Sequence, residues 1–460
     1  MTFDRLGPID TGFLDAECDK NQLNIGALLI LEGPPPPFSR LREMVIGKLG
    51  LIPRYRQVVR RVPFDLARPV WVDDPRFDID YHMRVAAVPK PGDMTELRRV
   101  VADVMSRRLD QGRPLWELWM VEGLEDDQWA LVVKVHHCMA DGVGGVELLN
   151  LILDPSPDHV AVPSLPWRSR PLPTPFELLT SSLKQAVPSP SRVIRSAKEA
   201  LADVDELARS LPSLLRVVIP AAPGSLNGPI GPRRRWTTTV VPISEIKKVR
   251  SSLGGTFNDV TLAAITRGFR GLLEKRGEPI HRPLRTVVPV SVRARDASGR
   301  AVTDGTLENK TAAVFADLPT GVDDPVERLE LISKQMSAIK ESNDAQGAQS
   351  AVSLAKYVPP SMAAAVTSVV RNIPHHNVNT LTTNIPGPQI PLYAVGHPVV
   401  SAYPYVPIAM GVRTGVAMLS YNGEVHFGIT GDYDNTPDIE IVAEGIHLGM
   451  DEMLVAASQA

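Results

Sequence analysis

Apolar residues along the chain fall into two periodicities. The runs "NIGALLILEG" (24–33) and "WALVVKVHH" (129–137) are continuous, of strand length, and rich in residues that fit a buried pleated surface. "WTTTVVPI" (236–243), "LRTVVPVSVR" (284–293) and "LSYNGEVHFGIT" (419–430) repeat this character in the second half. In the last of these, Asn422-Gly423 separates alternating apolar segments and predicts a hairpin, because both residues tolerate left-handed backbone angles. Helical spacing predicts helices over Thr95–Leu109, Asp259–Arg276, Pro325–Ser342 and Pro437–Ala457.

Two breaks organise these elements. "DPSPDHVAVPSLPWRSRPLPTP" (154–175) is too rich in proline for a helix or central strand, since proline lacks the amide donor and fixes φ, so an extended connection is expected. Beyond it Val193, Ile194, Ala197, Leu201, Val204, Leu207, Ala208 and Leu211 recur at helical spacing among Arg192, Arg195, Lys198 and Arg209. That amphipathic helix suits packing on a neighbouring lobe or shallow insertion at a membrane surface. The second break, "AAPGSLNGPIGP" (221–232), runs into Arg233-Arg234-Arg235, after which strands and helices begin again. The expected fold class is therefore α/β (α+β): an N-terminal lobe over 1–154, a proline-rich linker with its helix over 155–235, and a C-terminal lobe over 236–460.

Composition narrows the function classes. A chain of 460 residues exceeds the size at which a single core stops growing, in keeping with two lobes. A net charge of -3, with 43% hydrophobic and 22% charged residues, makes no electrostatic case for nucleic acid. Cys18 and Cys138 are too few for a disulfide framework and form no CxxC pair, so a reducing cytoplasm is the expected location and no metal site is expected. Asp4, Asp10 and Asp15 stand where a signal peptide needs an apolar core, and no run of 18 apolar residues occurs, so no membrane span is expected.

The stretch "VHHCMADG" (135–142) carries the chemistry. It follows a buried strand and precedes "GVGGVELLNLILD", which opens with glycines and continues at helical spacing, so the motif falls in a strand-to-helix turn. Strand side chains alternate, and His136 and His137 must point to opposite faces. His137, nearer the turn, is the candidate general base and His136 its support. Asp141 either orients the imidazole or holds the turn through an arginine, and the amide of Gly142 is a candidate donor to a developing oxyanion. Cys138 has no helix start ahead of it to lower its pKa and reads as a packed residue. A second His-His pair, in "PHHN" (374–377), lacks the Asp-Gly that follows the first. GxSxG and GxxxxGK[ST] are both absent, which removes the usual markers of serine acylation and nucleotide hydrolysis.

Further segments stand in order around this motif: "LGPIDTGFLDAE" (6–17), "IPRYRQ" (52–57), "WVDDPRFDIDYHMR" (71–84), "GRPLWELWMVEGL" (112–124), "LNGPIGPRRRW" (226–236), "NDVTLAA" (258–264), "VPVSVR" (288–293), "EN" (308–309) and "TNIPGP" (383–388). With them the chain resembles the bacterial wax ester synthase/diacylglycerol acyltransferase family, within the superfamily of chloramphenicol acetyltransferase and peptide-synthetase condensation domains. The resemblance implies two chloramphenicol acetyltransferase-like lobes, each a mixed sheet with flanking helices. It implies transfer of a long acyl group from coenzyme A to diacylglycerol, with fatty alcohols as further acceptors, in a direct ternary complex. Acyl-CoA would be a co-substrate, and no bound cofactor is implied. His137 would be the base, and Asp141 would pair with Arg293.

The resemblance assigns substrate-binding or supporting roles to Asn258, Asp259, Arg293, Pro114, Leu115, Trp116 and Asn309. From the residues alone, Asn258 and Asp259 serve equally well to cap a helix, Pro114-Leu115-Trp116 to anchor a core, and Thr383–Pro388 to make a turn. Leu23-Asn24 departs from the family's Met-His-like pair, and Glu308 stands where a glycine is usual. A lipid acceptor implies peripheral contact with a membrane or lipid-droplet surface, expected here of the helix over 192–211. The competing expectations are a specialised alcohol or polyketide-type acceptor and a catalytically silent lipid-binding protein.

Overall fold

The computed structural model describes residues 3–139, 149, 152–158, 167–186, 221, 223–291, 311–341, 362 and 377–460. Asp141, Gly142, Arg293, Asn309, Glu308 and the helix expected over 192–211 lie outside the described residues, as does most of "PHHN". The strands of the first half are β1 (Asp4–Arg5), β2 (Asn24–Glu32), β3 (Gln57–Arg60), β4 (Val70–Asp73), β5 (Met83–Ala87), β6 (Trp116–Glu122) and β7 (Gln128–His136). Those of the second half are β8 (Arg234–Pro242), β9 (Leu284–Ser291), β10 (Thr311–Leu318), β11 (Thr380–Ile385), β12 (Tyr393–Ala394), β13 (His397–Tyr405), β14 (Thr414–Tyr421) and β15 (Glu424–Asp432). The helices are α1 (Pro8–Ala16), α2 (Phe38–Leu49), α3 (Ile79–His82), α4 (Met94–Ser106), α5 (Pro175–Ala186), α6 (Ile243–Leu253), α7 (Phe257–Lys275), α8 (Pro325–Glu341) and α9 (Glu440–Gln459).

The apolar runs read from sequence are the central strands. β2 and β7 pair antiparallel from Asn24 opposite His136 to Glu32 opposite Gln128. The first sheet has the order β12-β13-β2-β7-β6-β5, and the second β10-β9-β11-β14-β15-β8. In the second, β11 runs parallel to both β9 and β14. The hairpin expected at Asn422-Gly423 joins β14 to β15, with both residues at positive φ. A small sheet, β1-β4-β3, stands apart, and α5, which the proline-rich text did not suggest, packs on it through Leu178 against Val58, Val70 and Val72.

The sheets do not divide along the chain as the sequence breaks do. β12 and β13 come from the second half, yet β13 pairs with β2 and so covers what would otherwise be an unpaired edge of the first sheet. Strand partners are set by long-range pairing, which a local periodicity does not encode. Further ties bind the lobes. Tyr421 Oη of β14 donates to Val399 O at 3.0 Å, and Arg98 of α4 reaches the Oγ1 and carbonyl of Thr238 on β8 at 3.0 and 3.2 Å. Leu97, Val101, Val104 and Met105 of α4 share one buried cluster with Leu28, Val132 and Trp236. Its apolar face therefore packs on both sheets.

Where β13 crosses β15 the backbones nearly touch. A Cβ on Gly428 would lie 1.7 Å from Pro404 O, closer than any side chain permits. Gly428→Ala is expected to destabilise the fold by about 3 kcal/mol or more, because backbone rather than a flexible side chain must move. Urea unfolding measures this, and wild-type stability in the variant would contradict the close crossing.

Candidate active site

The site is built on the last residues of β7. The amide of His136 donates to Leu115 O on the β6 side at 3.0 Å, and the amide of His137 donates to Leu23 O on the β2 side at 2.8 Å. Consecutive amides point opposite ways in a strand, so the two bonds hold the pair from both flanks and fix which imidazole faces which side. The expected opposition of the two histidines is what the structure shows.

His136 faces α4 and is fully buried. Its Nδ1 accepts from the Cys138 amide at 3.1 Å, so the proton of the neutral ring resides on Nε2, which points at Glu17 Oε1 across 3.6 Å. Burial holds the His136 pKa down at about 3, so the ring stays neutral at physiological pH. Burial also raises the Glu17 carboxyl, against hydrogen bonds to its Oε2 from Gln111 at 2.9 Å and Arg108 at 3.3 Å. Asn24, the register partner of His136, is buried on the same face and donates to the carbonyls of Met105 and Arg107. The departure at Leu23 leaves the backbone scaffold intact, because Leu23 acts through its carbonyl, which any residue supplies.

His137 faces the other way, into the seam between the two sheets. Its ring, half-buried, stacks on Phe13 of α1 with centroids 4.0 Å apart and an interplanar angle of 24°. It lines a cavity of about 170 Å³ together with Val135, Val133, Ile25 and Ala27 of the first sheet, Leu381, Thr383 and Leu419 of the second, and Tyr405 at the end of β13. The lining is almost wholly apolar, and the volume suits a slender chain segment better than a polar head group. Leu29 and Leu131, the next residues on the cavity face of the β2–β7 pair, are fully buried beyond Ala27 and Val133.

The other expected residues are placed as follows. Pro114-Leu115-Trp116 is a core anchor: Leu115 and Trp116 are buried, Trp116 Nε1 donates to Tyr55 O at 2.8 Å, and the indole stacks on His82. Its link to the site is the Leu115 carbonyl that holds His136. Thr256, not Asn258 or Asp259, caps α7, and Asp259 completes a capping box by accepting from the Thr256 amide at 2.8 Å. Asn258 accepts from Asn384 Nδ2 at 3.3 Å, beside a separate open groove of about 740 Å³ lined by Phe257, Lys247 and Asn384. Strand alternation puts Thr383 and Ile385 on the cavity with His137, and Asn384 on the groove. Asn258 thus meets Asn384 on the groove side, and neither it nor Asp259 lines the cavity. Thr383–Ile385 is the end of a parallel strand, Pro386–Pro388 continues as irregular backbone, and the chain bends at Gln389–Ile390. Cys138 is buried among Leu14, Val59, Trp71 and Leu115, and burial pushes its thiol well above the usual range.

Sequence reasoning missed Phe13 and Glu17, although both lie in the quoted "LGPIDTGFLDAE"; only the packing of α1 on β7 gives them roles. Among the described residues no group of three or more His, Cys, Asp or Glu could hold a metal ion.

Residues 6–261 match the family model of the wax ester synthase/diacylglycerol acyltransferase catalytic domain, and residues 307–454 match the WS/DGAT C-terminal domain. The chain belongs to the wax ester synthase/diacylglycerol acyltransferase family. It is an acyltransferase of that family. A putative diacylglycerol O-acyltransferase from Mycobacterium bovis is 36% identical over 446 residues, covering 96% of this chain and 94% of the relative. The wax ester synthase/diacylglycerol acyltransferase of Marinobacter aquaeolei VT8 superposes with a TM-score of 0.70 at 26% identity, over 99% of this chain and 100% of that one. The starter condensation domain of rhizomide synthetase, at 13% identity and a TM-score of 0.60 over 99% of this chain and 95% of that one, shares the fold. The family's two-lobed, sheet-based architecture is the one expected from the sequence.

Buried histidines also set the acid response of this acyltransferase. His82, His136 and His426 are fully buried, and burial lowers their pKa values to about 4, 3 and 4. The unfolded chain takes up protons near the ordinary value of about 6.5 that the folded chain refuses until about pH 4, so stability is full above about pH 6.5 and falls as pH drops from there toward about 4. Glu17, whose folded pKa is raised, works in the opposite direction. Urea unfolding between pH 7 and pH 5 should show falling stability, at up to about 1.4 kcal/mol per pH unit for each proton. His426→Leu should reduce that slope by about one proton; an unchanged slope would contradict the assignment.

Proposed function

We propose that the protein transfers a long acyl group from acyl-coenzyme A to the hydroxyl of diacylglycerol, forming triacylglycerol, with fatty alcohols as further acceptors yielding wax esters. The single observation that carries this is the His137 imidazole set on an apolar cavity between the lobes, within a chain of this family. His137 takes the proton of the acceptor hydroxyl as that oxygen attacks the thioester carbonyl. The carbon-sulfur bond then breaks, and the coenzyme leaves as a thiol with the proton that the imidazolium returns. The role asks for an imidazole that begins unprotonated and ends the cycle unprotonated.

No acyl-enzyme is needed in this scheme. Cys138 is buried with a raised thiol pKa, the opposite of an activated nucleophile. Asp141 is assigned to hold the turn through Arg293, and the Gly142 amide to donate to the oxyanion. Phe13 confines the base from one side, while the pinned backbone prevents it from turning away. The apolar wall from Val135 to Val133 and Ala27 holds the acyl chain, whose burial at roughly 0.8 kcal/mol per methylene binds and positions the thioester.

A lipid acceptor requires contact with a lipid surface. No helix among the described residues is long and apolar enough to cross a membrane. Peripheral attachment at the inner membrane face or at lipid droplets, from the cytoplasmic side, is therefore part of the proposal.

His137→Ala should lower the rate with palmitoyl-coenzyme A and diacylglycerol by about 10²–10⁴-fold at unchanged thermal stability. An unchanged rate in a folded variant would remove the base assignment, and absence of any acyl transfer by the wild type would favour a silent lipid-binding protein. Val133→Phe should fill the cavity and lower kcat/KM for palmitoyl donors by about tenfold more than for butyryl donors. Equal losses would place the acyl chain elsewhere. Thin-layer separation of products from diacylglycerol, hexadecanol and a polyketide diol decides the acceptor: triacylglycerol must dominate.

A further inference from the structure

We propose that the tip of the β3–β4 hairpin and the first turn of α5 form the surface on which the protein rests against a lipid interface. This deepens the acyltransfer proposal above and rests on its lipid acceptor. The connection from Arg61 to Pro69 carries Phe64 at 84% exposure and Leu66 at 52%, and the start of α5 carries Phe176 at 73%. A soluble protein rarely presents aromatic rings so completely to water at neighbouring points without a partner that covers them. The presentation is enforced by the backbone. Phe64 and Asp65 both sit at positive φ, 59° and 48°, a conformation bulky residues seldom adopt, and the strain holds the ring outward instead of letting it fold onto the sheet.

α5 stands beside this tip because Leu178 packs on β3 and β4 and because Arg5 donates to Ser182 Oγ at 3.1 Å. Arg60, Arg61 and Arg68 flank the tip along the chain, Arg68 Nη1 donating to Leu6 O at 2.8 Å, and cations beside inserted phenyl rings suit lipid phosphates. Asp65, 3.8 Å from Arg61, and the exposed Glu177 oppose them, so apolar insertion supplies most of the attraction and charge the smaller part. Arg61 is also paired with Asp15 at 2.7 Å, and Asp15 belongs to α1, whose Phe13 stacks on His137. The lipid-facing tip is thus fastened to the helix that covers the base, which sets the seam beside the surface from which a lipid hydroxyl arrives.

The test uses the full chain with phosphatidylcholine vesicles containing phosphatidylglycerol. Phe64→Ser combined with Phe176→Ser should weaken co-sedimentation by at least tenfold, since each ring withdrawn from the acyl layer is worth about a factor of ten. Transfer from butyryl-coenzyme A to hexanol, which needs no vesicle, should stay at the wild-type rate. Arg60→Gln should weaken sedimentation a few fold and reduce its dependence on salt. Wild-type sedimentation by the double variant, or failure of the wild type to sediment, would overturn the proposal. So would a wild-type dimer in analytical ultracentrifugation that the double variant abolishes, because the tip would then be a self-association surface. If the wild type binds vesicles but does not acylate hexanol or diacylglycerol, the acyltransfer proposal falls and the lipid-facing surface stands.

Discussion

Two backbone hydrogen bonds at the end of β7 govern everything built around them. Leu115 holds the amide of His136 and Leu23 holds the amide of His137, and the alternation of a strand does the rest. One imidazole is committed to the buried polar face under α4 and the other to the apolar seam between the sheets. A slip of register by one residue would exchange them, turning His136 into the seam and His137 under α4. The register from Asn24–His136 through to Glu32–Gln128 prevents that slip.

The two faces differ in electrostatic character. Behind the strand, Glu17, Arg108, Gln111 and Asn24 surround His136, and Lys134 bonds Val104 O at 2.8 Å while burial lowers its pKa to about 8. In front, the wall seen by His137 is mostly valine, isoleucine, leucine and alanine, with Thr383 and Tyr405 among them, an environment that suits a long acyl chain. Gln111 and Arg108 on Glu17 Oε2 and Asn24 on two carbonyls fix positions behind the strand, while Glu17 Oε1, His136 Nε2 and Asn24 Oδ1 are buried without a partner within hydrogen-bond distance among the described residues. The crossing of β13 then closes the seam, since it pairs with β2 on one side and lies so close to β15 on the other that Gly428 has no room for a side chain.

Much of this was legible in the chain. The runs at 24–33 and 129–137 read as buried strands and are β2 and β7, and the hairpin at Asn422-Gly423 is where its turn residues indicated. The opposition of His136 and His137 followed from strand periodicity alone. The capping residue of α7 was misplaced by two or three positions, because Thr256, Asn258 and Asp259 are all good candidates and only backbone geometry distinguishes a cap from its reciprocal partner. Pro114-Leu115-Trp116 was balanced between site and core, and its placement under Tyr55 and His82 makes it core, with one carbonyl contributed to the site.

By itself the sequence determined the central strands β2 and β7, the helices α4, α7, α8 and α9, the two-lobed class, the motif and the opposition of its two histidines, because these depend on periodicity and on turn chemistry within a few residues. Tertiary structure decided what those faces meet. Phe13 against His137, Glu17 against His136, the loan of β12 and β13 to the first sheet and the apolar cavity between sheets all join residues far apart in the chain. Such contacts come from packing complementarity and strand pairing over long loops, and neither leaves a local pattern to read.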